Sequence, residues 1–146
     1  MLDKIFTEDR FMIKKSFNAE TINLDEVIEF INSTLEENDC PMKAQVQIDI
    51  AAEEIFVNVA HYAYKPDIGI VDICVDFTEN PRKALISFVD SGKPYNPLEK
   101  PDPDVTLSLD ERNEGGLGIY MVKKSMDDVI YEFKDGQNHL TIVKNL

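Results

Sequence analysis

"EEIFVNVAHYAY", residues 53–64, sets apolar Ile55, Phe56, Val57 and Val59 among Glu54, Asn58 and His61. The polar positions recur at four- and three-residue spacing. That spacing stacks a carboxylate, an amide and an imidazole along one face of a helix. Such a stripe on an otherwise apolar helix is a satisfied buried network, a half-wetted surface face, or one wall of a ligand site.

The sequence around it bounds the answer. With 146 residues, 43% of them hydrophobic, the chain suffices for one domain with a real core, 1–146, and not for two. No run approaches the roughly 18 apolar residues that span a bilayer, so no membrane association is expected. The opening "MLDKIFTEDRF" carries acids and no apolar signal region, which predicts a cytoplasmic protein. Cys40 and Cys74 lie far apart without metal-ligand spacing and read as free thiols in a reducing compartment. A net charge of −13, from 28 acids against 15 bases, argues against nonspecific contact with nucleic acid and suits protein partners with basic patches.

Periodicity places the elements. Residues 10–17 alternate as a first strand. Leu24, Val27, Ile28, Ile31 and Leu35 recur at helical period in 23–38, with Asn23 as the expected cap. Pro41 stands where a second helix begins, and the helical pattern runs from Met42 to Tyr64, with Val46, Ile48, Ile50, Ile55, Val57 and Val59 as its apolar surface. Pro66 stops it. The period then switches to two, predicting strands at 68–77 and 84–92. A third helix fits 116–128, and a final hairpin turns at Asp135-Gly136. Helices early and strands late predict an α+β two-layer sandwich, its mixed, mostly antiparallel sheet backed by three main helices.

Residues 93–114 fit no element. They hold four of the seven prolines, six acids and three bases, and connect a strand ending in Asp-Ser-Gly to a glycine cluster that opens a helix. A connection of this length without its own structure is expected to be a lid or binding loop.

Three segments are read together: the helix face of Glu54, Asn58 and His61; "VDSGKPYNP", residues 89–97; and "EGGLGIYMVKK", residues 114–124. An Asp-x-Gly taken singly is a turn, and glycines before a helix are a capping or packing device. In this order, with a lid between the last two, they resemble the N-box and two glycine boxes of the GHKL superfamily, the histidine-kinase-like ATPases. The short length, Glu54 four residues before Asn58, and "GLGIYMVKKSMDDVIYE" are similar to the stand-alone anti-sigma-factor serine kinases that partner STAS-domain antagonists. The likeness runs over nearly the whole chain and is most specific in the three boxes.

The resemblance implies ATP and Mg²⁺ as cofactors. It makes Asn58 a metal ligand through its amide oxygen, and Glu54 the general base for a substrate serine or the group that orients a metal-bound water. Asp90 would accept a hydrogen bond from the adenine amino group, and Gly92 would let the base approach the backbone. Gly116 and Gly118, with Leu117 between them, would bring backbone N–H groups to the phosphates, since a helix start favours negative charge. Gly115 would hinge the lid, and Thr141 would reach adenine, often through water. Residues 93–114 would be the ATP lid.

His61 departs from the pattern: it follows Asn58 by three residues, where the serine kinases place histidine at four. A structural hydrogen bond is expected of it rather than contact with nucleotide. Arg112 is expected to be a solvated lid charge. The implied function is phosphorylation of a STAS-domain anti-anti-sigma factor together with binding of a sigma factor. The competing reading is an ATP-responsive binding switch without useful kinase activity, and Glu54 favours the kinase because nucleotide binding alone does not demand a base there. A histidine-kinase half would act through a phosphoacceptor helix, a context in which neither His61 nor His139 lies. These relatives commonly form homodimers, a state that no motif in the chain specifies.

Overall fold

The computed structural model describes residues 2–7, 10–99 and 117–146, with side chains in 12–99 and 118–146. The chain runs β1 (Leu2–Thr7), β2 (Arg10–Asn18), α1 (Leu24–Glu37), α2 (Met42–Tyr62), β3 (Ile70–Thr78), β4 (Lys83–Asp90), α3 (Leu117–Ser125), β5 (Asp128–Lys134) and β6 (Gln137–Asn145). Short 3-10 turns occupy Thr21–Asn23 and Pro97–Glu99.

The strands order as β1-β2-β3-β4-β6-β5, with β6 inserted between β4 and β5. Every neighbouring pair is antiparallel. No parallel pair of the expected mixed sheet occurs among the described residues: β2–β3 and β4–β6 pair antiparallel across longer connections, and β1–β2, β3–β4 and β5–β6 return directly on themselves. The last of these turns at Asp135 and Gly136, with φ of 54° and 75°, the left-handed pair that a two-residue hairpin needs. β1 goes unnoticed in the sequence because its alternate positions mix apolar and charged residues (Leu2, Lys4 and Phe6 against Asp3, Ile5 and Thr7), so period two carries no contrast.

Alternation decides which sheet face is dry. Val71, Ile73, Val75 and Phe77 of β3, Ala84, Ile86 and Phe88 of β4, and Leu140 and Ile142 of β6 are buried. They meet Val27, Phe30, Ile31 and Leu35 of α1, Ile48, Ala51, Ala52, Ile55 and Phe56 of α2, and Val122 of α3 in one core. Each valine, leucine, isoleucine and phenylalanine among them contributes about 1.5–3 kcal/mol on burial. The result is the expected two-layer sandwich, with three α-helices among the described residues on one face of the sheet.

Two local expectations change. Asn23 makes no side-chain cap; its Nδ2 donates instead to the Asn18 carbonyl at 3.0 Å, tying the helix start to the end of β2. Val46 and Ile50 are 48% and 55% exposed rather than packed. They lie on the side of α2 left over once α1, α3 and the sheet have taken the others. Across α1 and α2, Gln45 Nε2 donates to Glu36 Oε1 at 3.1 Å.

The consequence for function is where ends meet. The C-terminal half of α2, the end of β4 at Asp90 and the start of β6 converge on one rim of the sheet.

Candidate functional site

At that rim lies a cleft, partly open to solvent. α2 and its C-cap supply Ile55, Asn58, Val59, Tyr62 and Ala63, β4 supplies Phe88 and Asp90, and Tyr131, Asn138 and Leu140 come from β5 and β6. Lys93, Tyr95 and Pro97 close one side. The lining is mostly apolar with a few convergent polar groups, the usual make-up of a small-molecule site. Its apolar walls suit a planar heterocycle.

Asp90 is the principal polar group. It ends β4 and is 5% exposed. Its Oδ1 accepts from the Gly92 N–H at 2.9 Å and from Asn138 Nδ2 at 2.9 Å. A buried carboxylate persists only when hydrogen-bonded in this way. Asn138, also buried, faces Asp90 across the β4–β6 register and takes further bonds from Tyr95 and Tyr131.

The strand end is braced by Tyr64, just past the end of α2. Tyr64 Oη accepts from the Ser91 N–H at 2.7 Å and donates to the Ile70 carbonyl at 2.6 Å. Burial, partly offset by the Ser91 hydrogen bond, pushes the Tyr64 hydroxyl above its ordinary pKa. A side chain on Gly92 would meet the Ala63 carbonyl oxygen at 2.2 Å, while the Lys93 N–H donates to that same oxygen at 3.0 Å. The close neighbour that demands glycine at 92 is thus the end of α2.

The structure brings Asn58 and Asp90 to the same cleft. Glu54 stands one turn earlier on α2, outside the cleft lining and against the start of α3: a Cβ on Gly118 would lie 2.3 Å from its Oε2. Leu117 opens α3 beside it. Gly115, Gly116, Arg112 and residues 100–114 of the expected lid lie outside the described residues. His61 is exposed, its ring edge-on to Tyr62 at 6.1 Å.

Thr141 is not brought to the cleft. Its hydroxyl is 2.8 Å from that of Ser87, on the opposite sheet face from Phe88, Asp90, Leu140 and Ile142. The physical reason is parity, since neighbouring strand residues point to opposite faces. The residue that shares the Asp90 face is Asn138, which the sequence reading does not single out. Its signal was present: a polar residue in phase with Leu140 and Ile142 occupies a core position and needs a partner. Tyr62 and Tyr95, ring centroids 6.3 Å apart at the rim, and Tyr131 complete the aromatic part of the lining and carry no motif of their own.

A divalent cation fits the donor chemistry in one limited way. Among the described residues no group of three His, Cys, Asp or Glu side chains forms a metal cage. Mg²⁺ rarely uses such a cage; it takes one or two protein oxygens and completes its shell with phosphate and water. The Asn58 amide is a hard oxygen donor lining the cleft and suits that role.

Comparison with known proteins gives the site a context. The family described as the histidine kinase-like ATPase domain matches residues 17–144. The chain is 26% identical over 98 residues to serine/threonine-protein kinase BtrW of Bordetella bronchiseptica, covering 67% of this chain and 68% of that protein. It is 29% identical over 93 residues to serine-protein kinase RsbW of Bacillus thuringiensis, and 30% identical over 95 residues to that of Bacillus cereus. Both RsbW alignments cover 62% of this chain and 58% of the relative. No helix among the described residues is long and apolar enough to cross a membrane.

Proposed function

Because the chain belongs to the histidine kinase-like ATPase domain family, we propose that it is an ATP-dependent serine protein kinase. The observation that carries the reading is the placement of Asp90: a buried carboxylate, anchored through one oxygen, on the wall of an apolar cleft that also holds Asn58. Such a cleft suits adenine, whose amino group needs an acceptor and whose rings need apolar walls. The names of BtrW and RsbW as serine kinases support the reaction class.

In this reading Asp90 binds the adenine amino group and Asn58 offers its oxygen to Mg²⁺, which neutralises phosphate charge when bound. Backbone N–H groups at Gly116, Leu117 and Gly118 hold phosphate oxygens, and Gly115 hinges the lid. Glu54 takes the proton of the substrate serine hydroxyl. The serine oxygen forms a bond to the γ-phosphorus as the bond to the bridging oxygen breaks, and ADP leaves. Positioning and charge neutralisation supply most of the catalysis in such transfers. The protein substrate is a STAS-domain anti-anti-sigma factor, and a sigma factor is the second partner. The setting is the cytoplasm.

The test is transfer of γ-labelled phosphate from ATP–Mg²⁺ to STAS-domain proteins of the same genome. Phosphoserine on at least one is the expected result. ATP binding by the protein with no transfer to any of them would overturn the kinase and leave an ATP-responsive binding switch.

A further inference from the structure

We propose that Asn138 is the positioning residue of the adenine subsite, orienting Asp90 and tethering the segment that leaves it, without itself touching nucleotide. This rests on the ATP reading of the cleft. A side-chain amide has two N–H donors and two acceptor lone pairs. Asn138 uses all four. Its Nδ2 donates to Asp90 Oδ1 at 2.9 Å and to the Lys93 carbonyl at 2.8 Å. Its Oδ1 accepts from the Tyr95 N–H at 3.1 Å and from the Tyr131 hydroxyl at 2.5 Å.

The network leaves no freedom to exchange the amide's oxygen and nitrogen. Tyr95 N–H can only donate and the Lys93 carbonyl can only accept, so each end of the amide is specified by a backbone group. Asn138 has no capacity left for a ligand. It acts through Asp90.

Both donors to Asp90, from Gly92 and Asn138, fall on Oδ1. Oδ2 has no hydrogen-bond partner among the described residues and belongs to a residue that lines the cleft. Anchoring Oδ1 from two directions fixes where Oδ2 points, which is what discrimination of an amino group from an oxo group requires. The same amide holds the backbone at 93 and 95 against β6, and Tyr95 then sets its ring 6.3 Å from that of Tyr62 at the rim. One buried side chain therefore couples base recognition to the position of the segment that closes over the cleft.

The experiment compares ATP with inosine triphosphate, which carries an oxo group where adenine carries the amino group. Affinities of both are measured by calorimetry on the full chain for the parent, Asn138→Ala and Tyr131→Phe. The parent is expected to prefer ATP by about ten- to a hundredfold, the worth of a hydrogen bond to a charged group. In Asn138→Ala that ratio should shrink by about tenfold or to near unity, because ATP loses an oriented acceptor that inosine triphosphate never used. Tyr131→Phe keeps the ring and frees one lone pair of Asn138, so the ratio should shrink by a smaller factor. It decides the matter if Asn138→Ala does not fold.

A merely structural role would lower both affinities together. An unchanged ratio in Tyr131→Phe and in folded Asn138→Ala overturns the proposal. A parent that binds ATP without preferring it over inosine triphosphate also overturns it. A parent that binds no ATP removes the nucleotide reading itself, and this proposal with it.

Discussion

The first turn of α3 presses bare backbone against the Glu54 carboxylate: a Cβ added to Gly118 would lie 2.3 Å from Glu54 Oε2. The atom struck is the far end of a flexible side chain, so Gly118→Ala should be relieved by a swing of Glu54 and not by a shift of the helix. Ala also gains roughly 1 kcal/mol of helix propensity over Gly. Stability in urea should stay within about 1 kcal/mol of the parent. Transfer to serine should fall by up to about a hundredfold, since a misplacement near 1 Å can cost that much. Unchanged transfer would show that the position of Glu54 does not matter.

Glu54→Gln keeps size and one oxygen but removes the base. Transfer is expected to fall by about 10²–10⁴-fold, the usual worth of a general base. ATP–Mg²⁺ affinity should change little, because Glu54 lies outside the cleft lining. Equal loss of binding and transfer would point to a metal-holding role.

Asp90→Asn replaces an acceptor with a group that also presents donors, facing the Gly92 N–H and the Asn138 amide. ATP affinity should drop by about ten- to a hundredfold by calorimetry. Binding of inorganic triphosphate should be hit far less. Parent-like ATP affinity would remove the base from the Asp90 wall.

Gly92→Ala differs from the change at 118 because its clash, 2.2 Å to the Ala63 oxygen, is with backbone. Either the end of α2 or the strand end must move, at a cost of about 1–3 kcal/mol. A clear fall in the urea midpoint is expected, with weaker ATP binding because Asp90 is two residues away. Parent-like stability would mean that the 63–92 contact is loose.

The Cys74 thiol is pushed up to about 11, mainly by burial on the sheet. The thiolate is the reactive form. Alkylation of Cys74 in the folded protein should therefore be slow at pH 8 and rise about tenfold per pH unit until near 11, read by peptide mass mapping. The raised folded value also means that the unfolded chain releases this proton first. This contribution to stability is thus full below the ordinary thiol range and lost as pH climbs towards about 11. A plateau in alkylation near pH 9 would contradict the burial.

Much of the fold was legible. The helical period at Leu24–Leu35 and the period-two runs in 71–77 and 84–90 each reflect a single dominant neighbour, the core, so pattern and burial agree. Asp135-Gly136 is local chemistry, legible without the rest of the chain. β1 was missed because its pairing with β2 comes from register and not from a patterned face. Val46 and Ile50 misled because hydropathy says that a residue can be buried, while only the neighbours of α2 decide which side is left open.

The site divides along the same line. Sequence by itself determined the residue types, their spacing on α2 and the order of the polar boxes, because those depend on contacts within one element or on chain order. The partnership of Asp90 with Asn138, separated by 48 residues, came only from the register of β4 on β6. So did the exclusion of Thr141. In a strand the side-chain period is two, and one step along β6 carries a side chain from the cleft to the far face of the sheet.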